Sequence, residues 1–267
     1  MALVGGALLA YRIPQITAEA QASVEQEAKD KALLLEFLLG GLESQLWPIA
    51  ALAQTSDHDA LDKALETIIG NGFNAIYVVD KEGIIRSGSL GNDIGDDRSR
   101  NSLFLSSQAG KAVWSDKYLS AQTGNIVVGV ALRHGAWVVI GEIHPQFLRE
   151  SISTIAGHGG DQALVVDRTG EWIASSSDKL SFDYNIGEMP IVKAALHGET
   201  KGHLTNTPTG SIFVGSTKPD KLGWIFIVTR PAGMANPTMR VTVFTIISAF
   251  IGSLLVGLLL APAWARG

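Results

Sequence analysis

The chain has 267 residues, no cysteine, 26 acidic against 21 basic residues, and a formal net charge of -5. Without cysteine there is no disulfide framework and no thiolate metal site, and the acidic balance argues against a nucleic-acid partner, which would select a basic stripe. Charged residues make up 18% of the chain, below the usual share of about 25%, while 46% are hydrophobic, so the chain is expected to fold rather than stay disordered.

The apolar surplus sits at the two ends. Met1 to Tyr11 is apolar and is followed by Arg12. It is too short to cross a bilayer and lacks the basic n-region of a cleavable signal peptide. Residues 1–13 therefore read as a truncated transmembrane helix. From about Ile16 to Gln54 the pattern is helical, with Val24, Ala28, Ala32, Leu35, Leu39, Leu42 and Leu46 recurring at three- and four-residue steps. Such a stripe buries one helix face. Residues 14–55 are thus predicted as a long stalk helix. Its lower half is expected to pair with another copy and its upper half to pack on a folded module, and a simple cover helix fits residues 33–54 equally well. Pro48 is expected to kink it.

The chain then becomes strand-like and repeats itself. Val78-Val79-Asp80-Lys81-Glu82-Gly83 matches Val165-Val166-Asp167-Arg168-Thr169-Gly170. Thr123-Gly124 through Gly129 matches Thr209-Gly210 through Gly215, and Trp137 to Ile140 matches Trp224 to Ile227. The offsets are 87, 86 and 87 residues, which implies tandem modules. In each copy a strand ends in Asp and a Gly-containing turn, and a second strand and a helix follow (about Ser99 to Ala109, and Pro190 to His197). Gly110 and Gly198 are placed to cap those helices. The first copy adds strands near Val113 to Leu119, Asn125 to Leu132 and Trp137 to Ile143. Hairpin-linked strands predict α+β architecture, with antiparallel sheets and helices on one side. Pro145 to Ile155 is expected to be a helix joining the modules, and His158 to Asp161 a linker. The modules span 56–157 and 158–236. Residues 240–265 then form a transmembrane helix, because 241–265 carries no charge and a bilayer core of about 30 Å needs about 20 helical residues.

The order of elements, with Val79-Asp80…Gly83, Trp114-Ser115-Asp116-Lys117-Tyr118, Thr123-Gly124, Gly141-Glu142-Ile143, Val166-Asp167…Gly170 and Leu222-Gly223-Trp224, resembles the double Cache sensor domain of bacterial receptors. The resemblance covers roughly residues 14 to 235. It implies two PAS-like modules outside the inner membrane, a small-ligand pocket in the membrane-distal one, and a cytoplasmic output module of cyclase, phosphodiesterase, histidine kinase or chemotaxis type. A homodimer is expected, and the alternative is a periplasmic protein-interaction module without a small ligand.

No catalytic set is visible: there is no Gly-x-Ser-x-Gly elbow and no phosphate loop. The six histidines are scattered, and the acidic loop Asp93, Asp96 and Asp97 lacks the terminal Glu of a calcium loop. No enzyme activity, cofactor or metal is therefore expected. Ligand-binding candidates lie between Arg98 and Glu142: Arg100, Phe104, Trp114, Asp116, Tyr118 and Glu142. They mix aromatic surface with a few charges, as small-ligand pockets do, and an Arg suits a carboxylate-bearing ligand. The amino-acid-binding branch of the family carries Arg-x-Trp-Tyr, then Tyr, then Asp. That resemblance gives Arg100, Tyr118 and Glu142 those roles, with Ser102 and Leu103 in the Trp-Tyr places. Arg100 reads equally as a surface residue, whereas Trp114 and Trp137 read first as module core, Trp137 because it matches Trp224 in the other copy. Asp178, Lys179, Asp183 and Lys193 suggest a solvated second module that transmits rather than binds.

Overall fold

The computed structural model describes residues 2–264 apart from 56–57, 92, 109, 157–160, 178–188, 200–202, 208–209 and 233–236. The expected linker at 158–161 and Asp178, Lys179 and Asp183 thus lie wholly or mostly outside the described residues.

Helix α1 runs from Ala2 to Leu52, unbroken at Pro14 and Pro48. Pro48 sits in the closing turns of the helix rather than dividing it. All seven residues of the predicted stripe are buried, and Ile49, Ala50 and Ala53 extend it. The stripe packs along both sheets of the molecule, so Val24, Ala28 and Ala32 in the lower half belong to the chain's own core. The expectation that this half pairs with another copy is corrected on that face. Helix α2 (His58–Ile68) follows and adds Leu61 and Leu65 to the same core.

The first sheet contains β1 (Phe73–Val79), β2 (Ile85–Gly88), β3 (Ala112–Trp114), β4 (Tyr118–Leu119), β5 (Ile126–His134) and β6 (Trp137–Ile143). Its order is β2-β1-β6-β5-β3, with β4 also on β5, and all pairs are antiparallel. The expected strand from Val113 to Leu119 is two short strands with Ser115 to Lys117 between them. Helix α3 is only Ser102–Ser106, capped by Asn101, whose side chain accepts from the Leu103 and Phe104 amides. Gly110 therefore does not cap it.

Helix α4 (Pro145–Ala156) leads to the second sheet. That sheet is β7 (Gln162–Val166), β8 (Trp172–Ser175), β9 (His203–Thr207), β10 (Gly210–Thr217) and β11 (Ile225–Pro231), ordered β8-β7-β11-β10-β9 and antiparallel. Helix α5 (Pro190–Leu196) packs on it and ends at Gly198, whose φ of 86° is the left-handed cap expected there. In each unit alternate strand residues face α1 on one side and α3 or α5 on the other, so helices cover both faces rather than one.

The ladders refine the repeat. Ile140 pairs with Ala131, and Ile227, 87 residues later, pairs with Ser216, 85 residues later. The sequence match of Gly129 with Gly215, at 86, is thus one residue out of structural register. A one-residue slip turns a strand over. Gly129 accordingly abuts Leu103 and Tyr118 on the α3 face, whereas a Cβ on Gly215 would lie 2.4 Å from the Val24 carbonyl oxygen of α1. Gly215 permits that close approach of helix and strand.

The last helix, α6 (Pro237–Trp264), has 28 residues and touches α1. Its side chains are described for 240–253, 255 and 256. Among the described residues no helix is long and apolar enough to cross a membrane.

Candidate functional site

Residues that alternate along β1, β5 and β6 build the α3 face of the first sheet. Tyr77, Val79, Ala131, Val138 and Ile140 form an apolar floor with Leu103 and Phe104 from α3 above it. Glu142 belongs to the same face, opposite Gly129 on one neighbouring strand and Ala75 on the other. Both neighbours are small, so space above the sheet is left to the longer side chains around them.

Glu142 is 1% exposed. The Tyr118 hydroxyl donates to its Oε1 at 3.1 Å and the Ser120 hydroxyl to its Oε2 at 2.6 Å. Burial raises the Glu142 pKa, and the two hydroxyls and the Arg98 charge only partly oppose that. Tyr77 and Tyr118 are raised well above the ordinary phenol range, again chiefly by burial. Both phenols therefore stay neutral and serve as hydrogen-bonding groups. Arg98 is 16% exposed at its side chain and donates to Asp96 at 3.3 Å. Its charge also reaches Tyr77 and Asp93. Asp93 is raised by burial, countered by Arg98. The arrangement is a buried carboxylate lined by hydroxyls, with a cation and a second carboxylate at its edge. Chemically, the carboxylate suits a cationic group and the guanidinium an anionic one.

The structure brings Tyr118 and Glu142 together and places Phe104 in the same cluster, where the Arg133 guanidinium sits 5.3 Å over its ring. It does not bring Arg100 there: that side chain is exposed. Arg98, two residues earlier, supplies the cation. Trp114 and Asp116 lie instead at the junction of the two units. The Trp114 ring meets Trp224 edge-on with centroids 5.8 Å apart, and the Trp224 indole donates to the Ser115 carbonyl at 3.0 Å. Arg168 donates to Asp116 at 3.2 Å, to the Trp114 carbonyl at 3.0 Å and to the Leu222 carbonyl at 2.7 Å. Trp137 is half-buried against the α1-side core.

Spacing alone does not single out Tyr77, Ser120 and Arg98, which the fold adds to the Glu142 cluster. Tyr77 carries a visible signal, a polar tip inside the apolar strand Phe73–Val79. The acidic loop of Asp93, Asp96 and Asp97 is not uniform. Asp97 does cap the Ser99 amide at 2.7 Å, whereas Asp93 turns out partly buried.

At the position of Glu142 the second unit has Thr229, 87 residues on, which pairs with Val214. Among the described residues, this strand position thus carries a carboxylate in the first unit and a hydroxyl in the second.

No family model and no curated protein matches the chain. Solved structures do. The extracellular domain of a histidine kinase superposes with a TM-score of 0.63 at 14% identity, covering 81% of this chain and 96% of that one. The ligand-binding domain of the Pseudomonas fluorescens chemoreceptor CtaA, in complex with L-leucine, gives 0.63 at 15% identity over 83% and 99% of the two chains. That of the Campylobacter jejuni chemoreceptor Tlp3, in complex with L-valine, gives 0.62 at 11% over 82% and 95%. The chain has the double Cache fold. In this double Cache fold the Glu142 cluster lies in the first unit and α1 backs both units.

The Trp114 to Ser120 segment links the two regions. One end holds Trp224 and Arg168 of the second unit, and the other carries the hydroxyls on Glu142. A second tie joins the second unit to α1: Arg230 makes paired bonds to Asp161, at 3.0 and 2.7 Å, and also donates to Glu27.

Proposed function

We propose that the chain is the sensing part of a bacterial membrane receptor. On this reading 56–157 is the membrane-distal module and binds a small zwitterion or amine, while 158–236 is the membrane-proximal module that transmits the signal. The carrying observation is the buried Glu142 carboxylate held by Tyr118 and Ser120. An ammonium group placed against it gains a charge-assisted bond in a site from which water is excluded. The Arg98 charge acts on Glu142, and on this reading Arg98 meets the ligand's carboxylate, which makes L-amino acids of the kind bound by the two chemoreceptor domains the first ligands to test.

Ligand contacts with Tyr118 and Glu142 would bias the position of the Trp114–Ser120 segment, and through it Arg168 and Trp224. The bias is limited by the ligand's differential affinity for the two arrangements. Arg230 and Glu27 pass the shift to α1, and β11 passes it to α6. At about 1.5 Å per residue α6 is about 42 Å long, and residues 241–265 carry no charge. That supports α6 as a membrane span, with the sensing modules outside the plasma membrane.

The test is thermal unfolding of the chain in nanodiscs with L-leucine, L-valine and L-alanine, and with the matching amines and carboxylates. A ligand at about 100 times its Kd should add about 2.7 kcal/mol. Stabilisation by amino acids and amines, reduced by Arg98→Ala for the amino acids alone and untouched by Arg100→Ala, is the expected result. A panel in which no compound shifts unfolding would sink the reading.

A second copy completes it. Leu33, Leu34 and Phe37 face outward on α1, Phe37 with 83% exposure, and such a cluster of large apolar residues marks a contact surface. Phe37→Glu should turn a dimer into a monomer in analytical ultracentrifugation of the detergent-solubilised chain, and a sedimentation profile unchanged by the substitution would exclude this face.

A further inference from the structure

The Glu142 carboxylate is closed off by the chain's own side chains. Glu142 is 1% exposed and Leu103, from α3, is 2% exposed. Leu103 lies over Gly129, the strand partner of Glu142: a Cβ on Gly129 would stand 2.6 Å from the Leu103 Cδ1 and 2.8 Å from the Tyr118 hydroxyl. The space that a glycine on β5 leaves beside the carboxylate is thus filled by a leucine side chain. An ammonium group cannot reach Glu142 while that side chain stays in place.

The two walls over Gly129 are held differently. Tyr118 belongs to β4, whose backbone is laddered to β5. Helix α3 has five residues, little more than one turn, and so short a helix depends on its tertiary contacts. Within it the Leu105 amide donates to the Asn101 carbonyl at 3.0 Å and the Ser107 amide to the Phe104 carbonyl at 3.3 Å. Among the described residues, the polar ties of α3 to the sheet come from Arg133 of β5. Its guanidinium donates to the Ser107 carbonyl at 3.3 Å, to the Ser107 hydroxyl at 3.1 Å and to the Phe104 carbonyl at 3.5 Å, and it lies over the Phe104 ring. Leu105, on the outer side, is 69% exposed, so α3 is the outermost layer there. With few contacts beyond one guanidinium and two apolar anchors, α3 is the wall that local opening releases first.

We propose that α3 is a lid whose Leu103 side chain is a built-in competitor for the Glu142 site, and that a ligand opens the lid by taking the place of that side chain. This rests on the amino-acid reading and narrows it to amino acids with an aliphatic side chain of about leucine size. Such a side chain re-covers the floor of Val79, Ala131, Val138 and Ile140 that the departing Leu103 lays bare. Glycine has nothing to cover it with, and bare apolar surface is unfavourable in water. Arg133 is the latch, a positioning residue. Its bonds to α3 set the fraction of chains with the lid open, and apparent affinity scales with that fraction.

The test is isothermal titration calorimetry of L-leucine and glycine on the full chain in nanodiscs, with hydrogen exchange read at the Leu105 and Ser107 amides. The parent should bind L-leucine about tenfold or more tighter than glycine, the factor that burying an aliphatic side chain supplies. Leu103→Ala removes the competitor and should tighten both ligands about tenfold, while Leu103→Met, of similar volume, should stay within about twofold of the parent. Arg133→Gln should speed exchange at both amides about fivefold and tighten L-leucine by the same factor. Weaker L-leucine binding in Leu103→Ala would make Leu103 a wall of the site rather than its competitor. Faster exchange in Arg133→Gln without tighter binding would show that opening α3 does not admit the ligand. Either result overturns the proposal, as does a parent that binds glycine as tightly as L-leucine. If the parent and all three variants bind no L-leucine, the amino-acid reading falls and the lid with it. If the parent binds L-leucine, Glu142→Gln loses it and Leu103→Ala weakens it, the reading stands and the lid alone falls.

Discussion

Trp224→Ala should lower the unfolding free energy by about 3–5 kcal/mol, the range for removing a large buried aromatic. Trp224 is almost wholly buried, packs edge-on against Trp114 and donates to the Ser115 carbonyl. The substitution removes the ring contact and leaves the carbonyl without this donor. The expected signature goes beyond a lower midpoint. The two sheets have separate clusters on their outer faces and share the α1-side core, to which both tryptophans belong. Loosening that junction should broaden urea unfolding, or split it into two steps, read by tryptophan fluorescence and circular dichroism together. Arg168→Ala, which removes donors to Asp116, Trp114 and Leu222 from a half-exposed side chain, should cost less, about 1–3 kcal/mol. A Trp224→Ala chain that unfolds in one transition within about 1 kcal/mol of the parent would show that the junction is not a stabilising clamp.

Sequence carried the framework well where a physical period governed it. The α1 stripe from Val24 to Leu46 is legible because one helical face is buried along its whole length. The repeat is legible because Asp80 and Asp167 do the same work: each carboxylate accepts from the amides two and four residues on and so fixes the turn at Gly83 or Gly170. Glu142 is a charge in an otherwise apolar strand, a contrast that the sequence itself displays.

The junction was not legible. Trp114, Asp116 and Tyr118 are close in sequence, but β3 ends at Trp114 and β4 begins at Tyr118. Between them strand alternation lapses, and the chain turns from one unit's core to the other's. Arg98 and Arg100 are likewise two residues apart in a segment with no period. Only the position of that turn, where the Arg98 amide donates to the Gly83 carbonyl, decides which guanidinium faces inward. The register of β10 is hidden for a similar reason: the shared Thr-Gly turn aligns at 86, while the ladder with β11 runs at 85.

Glu142→Gln should abolish the pH dependence of ligand affinity and weaken binding of an ammonium-bearing ligand about 100-fold, taking about 3 kcal/mol for one lost partner of a buried charge pair. The sign follows from burial. In the empty protein the Glu142 pKa is raised, first by desolvation. The folded state thus holds this proton to higher pH than the unfolded chain, whose carboxyl titrates near the ordinary value of about 4.3. The group's contribution to stability is fully present below that ordinary value and is lost as pH rises through the raised one. Glu142→Gln should therefore gain stability relative to the parent across that window, since the amide can still bond Tyr118 and Ser120 without carrying a buried charge. Binding runs the other way. A bound ammonium favours the ionised carboxylate, so complex formation expels the proton, and affinity falls as pH drops through the raised value, by up to tenfold per pH unit. Calorimetry in two buffers of different ionisation enthalpy counts that proton. Binding that releases none, keeps one affinity on both sides of the window and survives Glu142→Gln would show that the carboxylate does not meet the ligand. Glu142 would then be a buried acid stabilised only by its two hydroxyls and the nearby Arg98.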